Sequence, residues 1–356
     1  MIITILSFIF VIGILVFFHE LGHFLAAKSV GVRVEKFYLG FNFFGLGWKK
    51  EYKGTEYGIG LFPLGGYVKV AGVIDESMDT EFTGGPDEFR SKNTLQKIWI
   101  MSAGVIMNFL LAILIFSHLT YYNGIYDPDP RPIIGQVLQN YPADSLGLQA
   151  GDEIISINGV QISDWEEMTV EIHQRPDEAL DLTWQRSGII MKGSVITESI
   201  KQFVGDEIVQ QGRIGIAPLL DHRYVTLRGS LKIGCERTWY FLDLTFRSLM
   251  AIIKGNVSIK ELAGPITIAK IAGETASSGI NALLGLMAFI SINLGFINIL
   301  PIPGLDGGHV LIALIEGIIR RDLPIKVKMG VQQVGLLILL MLFITIMVND
   351  IQRLIY

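Results

Sequence analysis

Cysteine is nearly absent from this 356-residue chain, and Cys235 stands alone. An intrachain disulfide and a cysteine-rich metal site are therefore excluded. Charge is scarce too. Asp, Glu, Lys and Arg make up 18% of residues, against about 25% in soluble domains. The net charge of -5 gives no basic footprint for nucleic acid. No Lys or Arg precedes the first apolar run and no small-residue cleavage site follows it, so it reads as a retained span rather than a removed signal peptide. What is abundant is apolar: half of the residues are hydrophobic and the mean hydropathy is +0.47. This is the composition of an integral membrane protein.

The first apolar run carries the chemistry. Residues 2–27 suffice for a helix of about 39 Å, long enough to cross a bilayer. Within it stands His-Glu-Leu-Gly-His at 19–23. At helical spacing His19 and His23 are i, i+4 and share one face. That pair suits a tetrahedral Zn²⁺, with Glu20 beside it as general base. A charged side chain near the bilayer centre costs roughly 2.5–3.5 kcal/mol on insertion scales, which disfavours an incidental one.

Residues 32–70 alternate aromatic, branched and glycine positions and predict a small β-sheet, with Trp48 to Thr55 as its hairpin turn. The sheet is apolar enough to dip into the membrane beside the metal, a place open to such backbone only against protein or a water-filled cavity. The acidic segment 75–96 predicts a mobile loop. A second span covers about Lys97 to Tyr121. In it Gly104 lies four residues before Asn108, a spacing for close helix packing and an amide hydrogen bond.

From Tyr122 the composition becomes that of a soluble domain. A proline-rich entry leads to strands over Ile133–Leu138, Glu153–Gly159, Leu180–Gln185 and Arg213–Ala217, with a short helix over Trp165–Ile172. Residues 229–254 place Lys232, Glu236, Asp243 and Arg247 on one helical face, with Arg237 off it, and predict an interfacial helix. Cys235 within it is expected to be a buried small residue.

The third span, about Ile280 to Leu300, ends in Asn298-Ile-Leu-Pro-Ile-Pro-Gly-Leu-Asp306. The prolines must break the helix and let Asp306 point into the bundle. Two histidines and one carboxylate make a catalytic zinc set with an open position. Asp306 is the best-placed carboxylate and Glu316 the weaker competitor; His309 offers a fourth ligand, but three residues past Asp306 it is expected rather to support the site or face the surface. Val310–Ile319 predict a short helix, and a last span covers about Val331 to Val348.

Taken together these residues resemble the site-2 protease family of intramembrane zinc metalloproteases, and more narrowly its bacterial RseP type. The likeness runs over nearly the whole chain. It is carried by the 19–23 motif, Gly-Thr-Glu-Tyr at 54–57, Pro-Leu-Gly-Gly-Tyr-Val-Lys at 63–69, Leu-Ala-Gly-Pro-Ile at 262–266 and the Asn298 to Asp306 motif. Between them, Pro142-Ala143 through Gly151-Asp152 to Asn158-Gly159 resembles a PDZ domain, and PDZ domains take an extended peptide as an added strand. The resemblance implies Zn²⁺ held by His19, His23 and Asp306, with Glu20 catalytic. It implies that Asn298 contacts the substrate or its developing oxyanion, and that the sheet carrying Gly65, Gly66 and Tyr67 clamps an extended substrate. It also implies single-span membrane-protein substrates of the anti-sigma-factor or signal-peptide type. Two features depart from the family pattern: one PDZ-like copy stands where well-known members carry two, and Gly104-Val105 replaces the usual Gly-Pro.

The expected fold is a mainly α-helical polytopic membrane protein with about four transmembrane helices, a membrane-associated β-sheet and an inserted α/β PDZ-like domain. Its expected divisions are 1–121, 122–222 (the PDZ-like domain), 223–279 (interfacial helix and connector) and 280–356. The basic segments 28–96 and 301–330 share one side, which the positive-inside rule makes cytoplasmic. The site then lies near the cytoplasmic side of a bacterial inner membrane, with the PDZ-like domain extracytoplasmic. The rival expectation is a zinc-binding membrane scaffold that captures peptides without hydrolysing them.

Overall fold

The structure, a computed structural model, describes residues 2–42, 47–73, 84–204 and 207–355. It divides into two compact units, one of residues 1–122 with 226–356 and one of residues 123–225. In chain order the first stretch holds α1 (Ile2–Ser29), β1 (Val34–Phe41), β2 (Gly47–Tyr52), β3 (Thr55–Gly60), β4 (Phe62–Val70) and α2 (Thr94–Asn123). The inserted unit holds β5 (Ile125–Pro128), β6 (Ile134–Val137), α3 (Pro142–Leu146), β7 (Glu153–Ile157), β8 (Val160–Gln161) and α4 (Trp165–His173). It continues with β9 (Ala179–Arg186), β10 (Ile189–Ile196), β11 (Glu198–Val204), β12 (Glu207–Arg213), β13 (Ile216–Pro218) and β14 (Leu220–Arg223). Five helices follow: α5 (Leu227–Ile253), α6 (Pro265–Ser277), α7 (Ile280–Ile299), α8 (Asp306–Ile319) and α9 (Ile325–Ile355).

Among the described residues, four helices are long and apolar enough to cross a membrane: Ile2–Ser29, Thr94–Asn123, Ile280–Ile299 and Ile325–Arg353. They match the four expected spans. The interfacial expectation falls on α5, which is not one of the four. Its buried residues Ser230, Gly234 and Thr238 lie along one side, while Cys235 is exposed. The expectation of a buried cysteine is thus wrong, because position 235 turns away from the packed face. Helices α1, α2 and α7 share one core of Val11, Leu15, Leu111, Ala112, Met287 and Ile292 with their neighbours. Small residues set the spacing, since a Cβ on Gly22 would overlap the Ala103 carbonyl of α2.

The sheet of the first unit runs in the order β2-β3-β1-β4, with β1 parallel to β3 and antiparallel to β4. Only the Lys53–Gly54 part of the expected turn is a turn, and both residues have positive φ, 48° and 72°, as a two-residue hairpin requires. Gly47–Tyr52 is instead β2, exposed at every position. Its Lys-Lys-Glu centre gives it the look of a loop, which is how an exposed edge strand is written. The sheet lies along α1. At one end Lys28 Nζ donates to Thr55 Oγ1 at 3.1 Å. At the other, Ile9, Phe10, Gly13 and Ile14 line a cleft of about 250 Å³ with Leu39, Gly40, Ile59, Gly60 and Gly65. From Lys28 to Ile9 is roughly 28 Å of helix. The acidic segment expected as a loop falls in part on residues 74–83, outside the described residues. Its later part forms a turn and a short 3-10 helix, Phe89–Ser91.

The inserted unit is built on the antiparallel sheet β10-β9-β7-β8. Ile134, Ile154, Ile157, Met168, Leu180, Leu182 and Trp184 form its core with α3 and α4. Asp164 caps α4 by accepting from the Glu167 N–H at 2.8 Å. The bidentate Arg186–Asp152 pair, at 2.7 Å through both Nε and Nη2, ties the turn before β7 to β9. The expected strand at 213–217 is split at Ile214–Gly215 between β12 and β13, where Gly215 has φ 84°.

The connector expected up to residue 279 holds α6. Its N-terminus is capped from a distance, with the Asp350 carboxylate of α9 accepting from Gly264, Ile266 and Thr267 N–H groups at 2.9–3.2 Å. The third span ends as the prolines require. Helix α7 stops at Ile299, Leu300 is extended, and α8 starts at Asp306.

Candidate metal centre

Three donor atoms from the two ends of the chain meet at one point. His19 Nε2 and His23 Nε2 are 3.3 Å apart on α1. Asp306 Oδ2, from the first residue of α8, lies 3.3 Å from each of them. Ligands about 2.0–2.2 Å from a tetrahedral Zn²⁺ stand about 3.3–3.6 Å from one another, so this nearly equilateral triangle fits such an ion. The donor chemistry fits as well. Asp306 Oδ2 is buried with no hydrogen-bond partner among the described residues, which is costly for a carboxylate unless a cation meets it. His19, His23 and Asp306 are the one such cluster among the described residues.

The other ring nitrogens are engaged on α2. His23 Nδ1 is 2.8 Å from the Ile100 carbonyl oxygen. A carbonyl can only accept, so Nδ1 carries the proton and Nε2 keeps its lone pair for a cation. His19 Nδ1 lies 3.1 Å from the Asn108 carboxamide, and Asn108 is fully buried. Its own backbone carbonyl accepts from Ser291 Oγ on α7 at 2.8 Å. Asn298, in the last turn of α7, brings its amide nitrogen to 3.4 Å from His19 Nε2.

Glu20 is part-buried and turned toward β4: a Cβ on Gly66 would stand 3.6 Å from Glu20 Cγ. Strand β4 pairs with β1 alone among the described strands, and the register jumps from Leu39↔Gly66 to Phe41↔Phe62. That bulge carries Gly65, at φ 111°, beneath Phe41. Tyr67 stacks on Tyr38 with centroids 5.2 Å apart. The expected supporting residues Gly65, Gly66 and Tyr67 therefore sit in the strand beside Glu20.

Neither Glu316 nor His309 joins the donor cluster among the described residues. Glu316 is no donor to the histidines: it is buried between Lys97 at 3.6 Å and Lys328 at 2.5 Å, and accepts from the Leu323 N–H. Asp322 adds a second anion at 3.3 Å from Lys97. His309 turns instead toward Gln332, 3.4 Å away. One participant could not be read from sequence, because the Ile100 contribution is a backbone carbonyl and carries no residue signature.

Comparison with known proteins gives the family. The model of peptidase family M50 matches residues 7–342. The chain belongs to this family. A Campylobacter jejuni protein named as a candidate zinc metalloprotease is 36% identical, over 98% of this chain and 94% of its own. The zinc metalloprotease RasP of Bacillus licheniformis is 30% identical over 99% of both chains. A candidate zinc metalloprotease of Clostridium perfringens is 33% identical over 95% of both. Among solved structures, the PDZ domain of an SdrC-like protein from Listeria monocytogenes is 18% identical, covering 27% of this chain and 94% of that one with a TM-score of 0.22. The expectation of a site-2-type metallopeptidase is borne out. With its four apolar helices the chain is a multi-pass membrane protein, whose partners are lipid and membrane-protein substrates.

Proposed function

We propose that this chain is a zinc-dependent intramembrane endopeptidase in which His19, His23 and Asp306 hold the metal and Glu20 is catalytic. The observation that carries this reading is the 3.3 Å triangle of donors with a non-ligand carboxylate one residue from its first corner. Zinc, when bound, supplies a Lewis acid for the scissile carbonyl and lowers the pKa of water. Glu20 takes the proton from the attacking water and returns it to the leaving amine. Asn298 donates its amide N–H to the developing oxyanion. A zinc scaffold without hydrolysis would have no use for Glu20.

A substrate's transmembrane helix must unwind before its carbonyls can react, because it buries them in its own hydrogen bonds. The edge of β4 away from β1, passing beside Glu20, holds the unwound segment as an added strand. The sheet's placement along roughly 28 Å of α1 supports insertion into the same membrane. Trp48, Ile59 and Leu61, each more than half exposed, suit that setting. The site lies toward the cytoplasmic side of a bacterial inner membrane, following the basic segments 28–96 and 301–330. The inserted unit is then extracytoplasmic, where a PDZ-like groove meets peptide. Single-span proteins of the anti-sigma-factor or signal-peptide type are the substrates.

The test compares wild type with Glu20→Gln in detergent, measuring bound zinc and cleavage of single-span substrates. Cleavage is expected to fall by about 10²–10⁴-fold at unchanged zinc content. Equal cleavage by both proteins, or a wild type that binds no zinc, overturns the reading.

A further inference from the structure

We infer that Asn108 is a positioning residue: its side-chain oxygen accepts the Nδ1–H of His19 and so fixes the tautomer that presents Nε2 to the metal. This rests on the metal site proposed above and goes beyond it, because Asn108 touches neither metal nor substrate.

The two histidines need the same protonation pattern, with a hydrogen on Nδ1 and a lone pair on Nε2. For His23 the Ile100 carbonyl enforces it at 2.8 Å. Nothing but the Asn108 carboxamide, at 3.1 Å, stands against His19 Nδ1 as a hydrogen-bond partner among the described residues. Carboxamide oxygen and nitrogen are interchanged by a half-turn. With the nitrogen toward His19, Asn108 Oδ1 is buried without any hydrogen-bond partner among the described residues. The atom away from His19 has no partner among the described residues in either orientation, so His19 Nδ1 alone decides which one faces it. The reverse arrangement would place a donor on Nδ1, drive the ring proton to Nε2 and block that corner of the triangle.

The surroundings hold the carboxamide in place. Asn108 is fully buried, its carbonyl is bound by Ser291, and a Cβ on Gly295 of α7 would stand 3.4 Å from its own Cβ. Gly104, one turn earlier, leaves room for the rings to reach α2 at all. The Gly104-to-Asn108 spacing thus does more than pack helices. The glycine admits the imidazole and the asparagine orients it.

The experiment measures zinc affinity by chelator competition on the full chain in detergent, and the absorption of the cobalt-substituted protein. The variants are Asn108→Leu, Asn108→Asp and Ser291→Ala. Losing an outer-shell partner typically costs roughly 10–100-fold in metal affinity. Asn108→Leu is expected to show that loss and an altered cobalt spectrum. Asn108→Asp retains an acceptor of the same shape and is expected to hold zinc at least as tightly as wild type. Ser291→Ala removes the hydrogen bond to the Asn108 backbone carbonyl but no acceptor for His19, and is expected to lower affinity less than Asn108→Leu does. The inference is overturned if the leucine variant binds like wild type, or if either the aspartate variant or Ser291→Ala loses as much as the leucine variant. Should the leucine variant fail to fold, the aspartate variant alone decides. A wild type that binds no metal would instead overturn the underlying site.

Discussion

Gly104 of α2 and His23 of α1 leave no space between them for a side chain: a Cβ on Gly104 would overlap His23 Nε2 and come within 2.7 Å of His19 Cε1. The neighbour that would have to yield is a ring already anchored through Nδ1 to Ile100. Glycine at this position is therefore a requirement of the donor geometry, not of backbone conformation. Its effect is to let one helix press against the imidazole face of another.

Gly104→Ala is expected to displace the His23 ring, lowering zinc affinity by at least roughly tenfold and activity with it. Helix content should be unchanged, because alanine is the better helix former. Metal content and circular dichroism of the purified variant check this. A zinc-replete, fully active variant would show that α1 and α2 are not held at this separation.

Gly66→Ala probes the other side of the site. Its Cβ would come within 2.7 Å of the Tyr38 carbonyl oxygen and 2.9 Å of Val16 Cγ1, so β4 must shift away from α1. If β4 presents the substrate to Glu20, a shift of this kind costs on the order of 10²-fold in turnover while zinc stays bound. Cleavage assays beside metal analysis separate the two effects. Unchanged turnover would count against β4 as the substrate strand.

In the inserted unit, Asp129 is buried and accepts from Arg131 Nε at 3.0 Å. The hydrogen bonds from Arg131 hold its carboxyl below the ordinary value of 3.8. A carboxyl depressed on folding contributes stability that is complete above its unfolded value and is lost as pH falls through the folded one. The stability gap between wild type and Arg131→Leu should therefore be constant above about pH 5 and narrow below about pH 4. Hydrogen exchange across residues 123–225 measures it, and a gap that widened in acid would contradict the pairing.

The helices and the triangle were legible because their signals are local. His19 and His23 share a face by spacing, and Pro301 and Pro303 announce the break that frees Asp306. What escaped the sequence depends on partners far along the chain. Helix α6 takes its cap from Asp350, 86 residues away from Gly264, so no capping residue marks its start. Strand β2 reads as a turn because an exposed edge must be charged. Glu316 reads as a possible ligand because its neutralising lysines, Lys97 and Lys328, come from two other helices. Asn108 reads as packing or as general support for the site, because only the register of α1 against α2 brings it to His19.

The first and third corners of the triangle are His19 and Asp306, at opposite ends of the polypeptide. During synthesis, a nascent chain that has inserted α1, α2 and the sheet carries Glu20 and two imidazoles but lacks the third donor. In the proposed assignment it cannot cut anything, including its own neighbours at the insertion machinery. Peptidase activity then begins only once α8 has left the ribosome and docked, so the order of translation itself delays the enzyme until its fold is nearly complete.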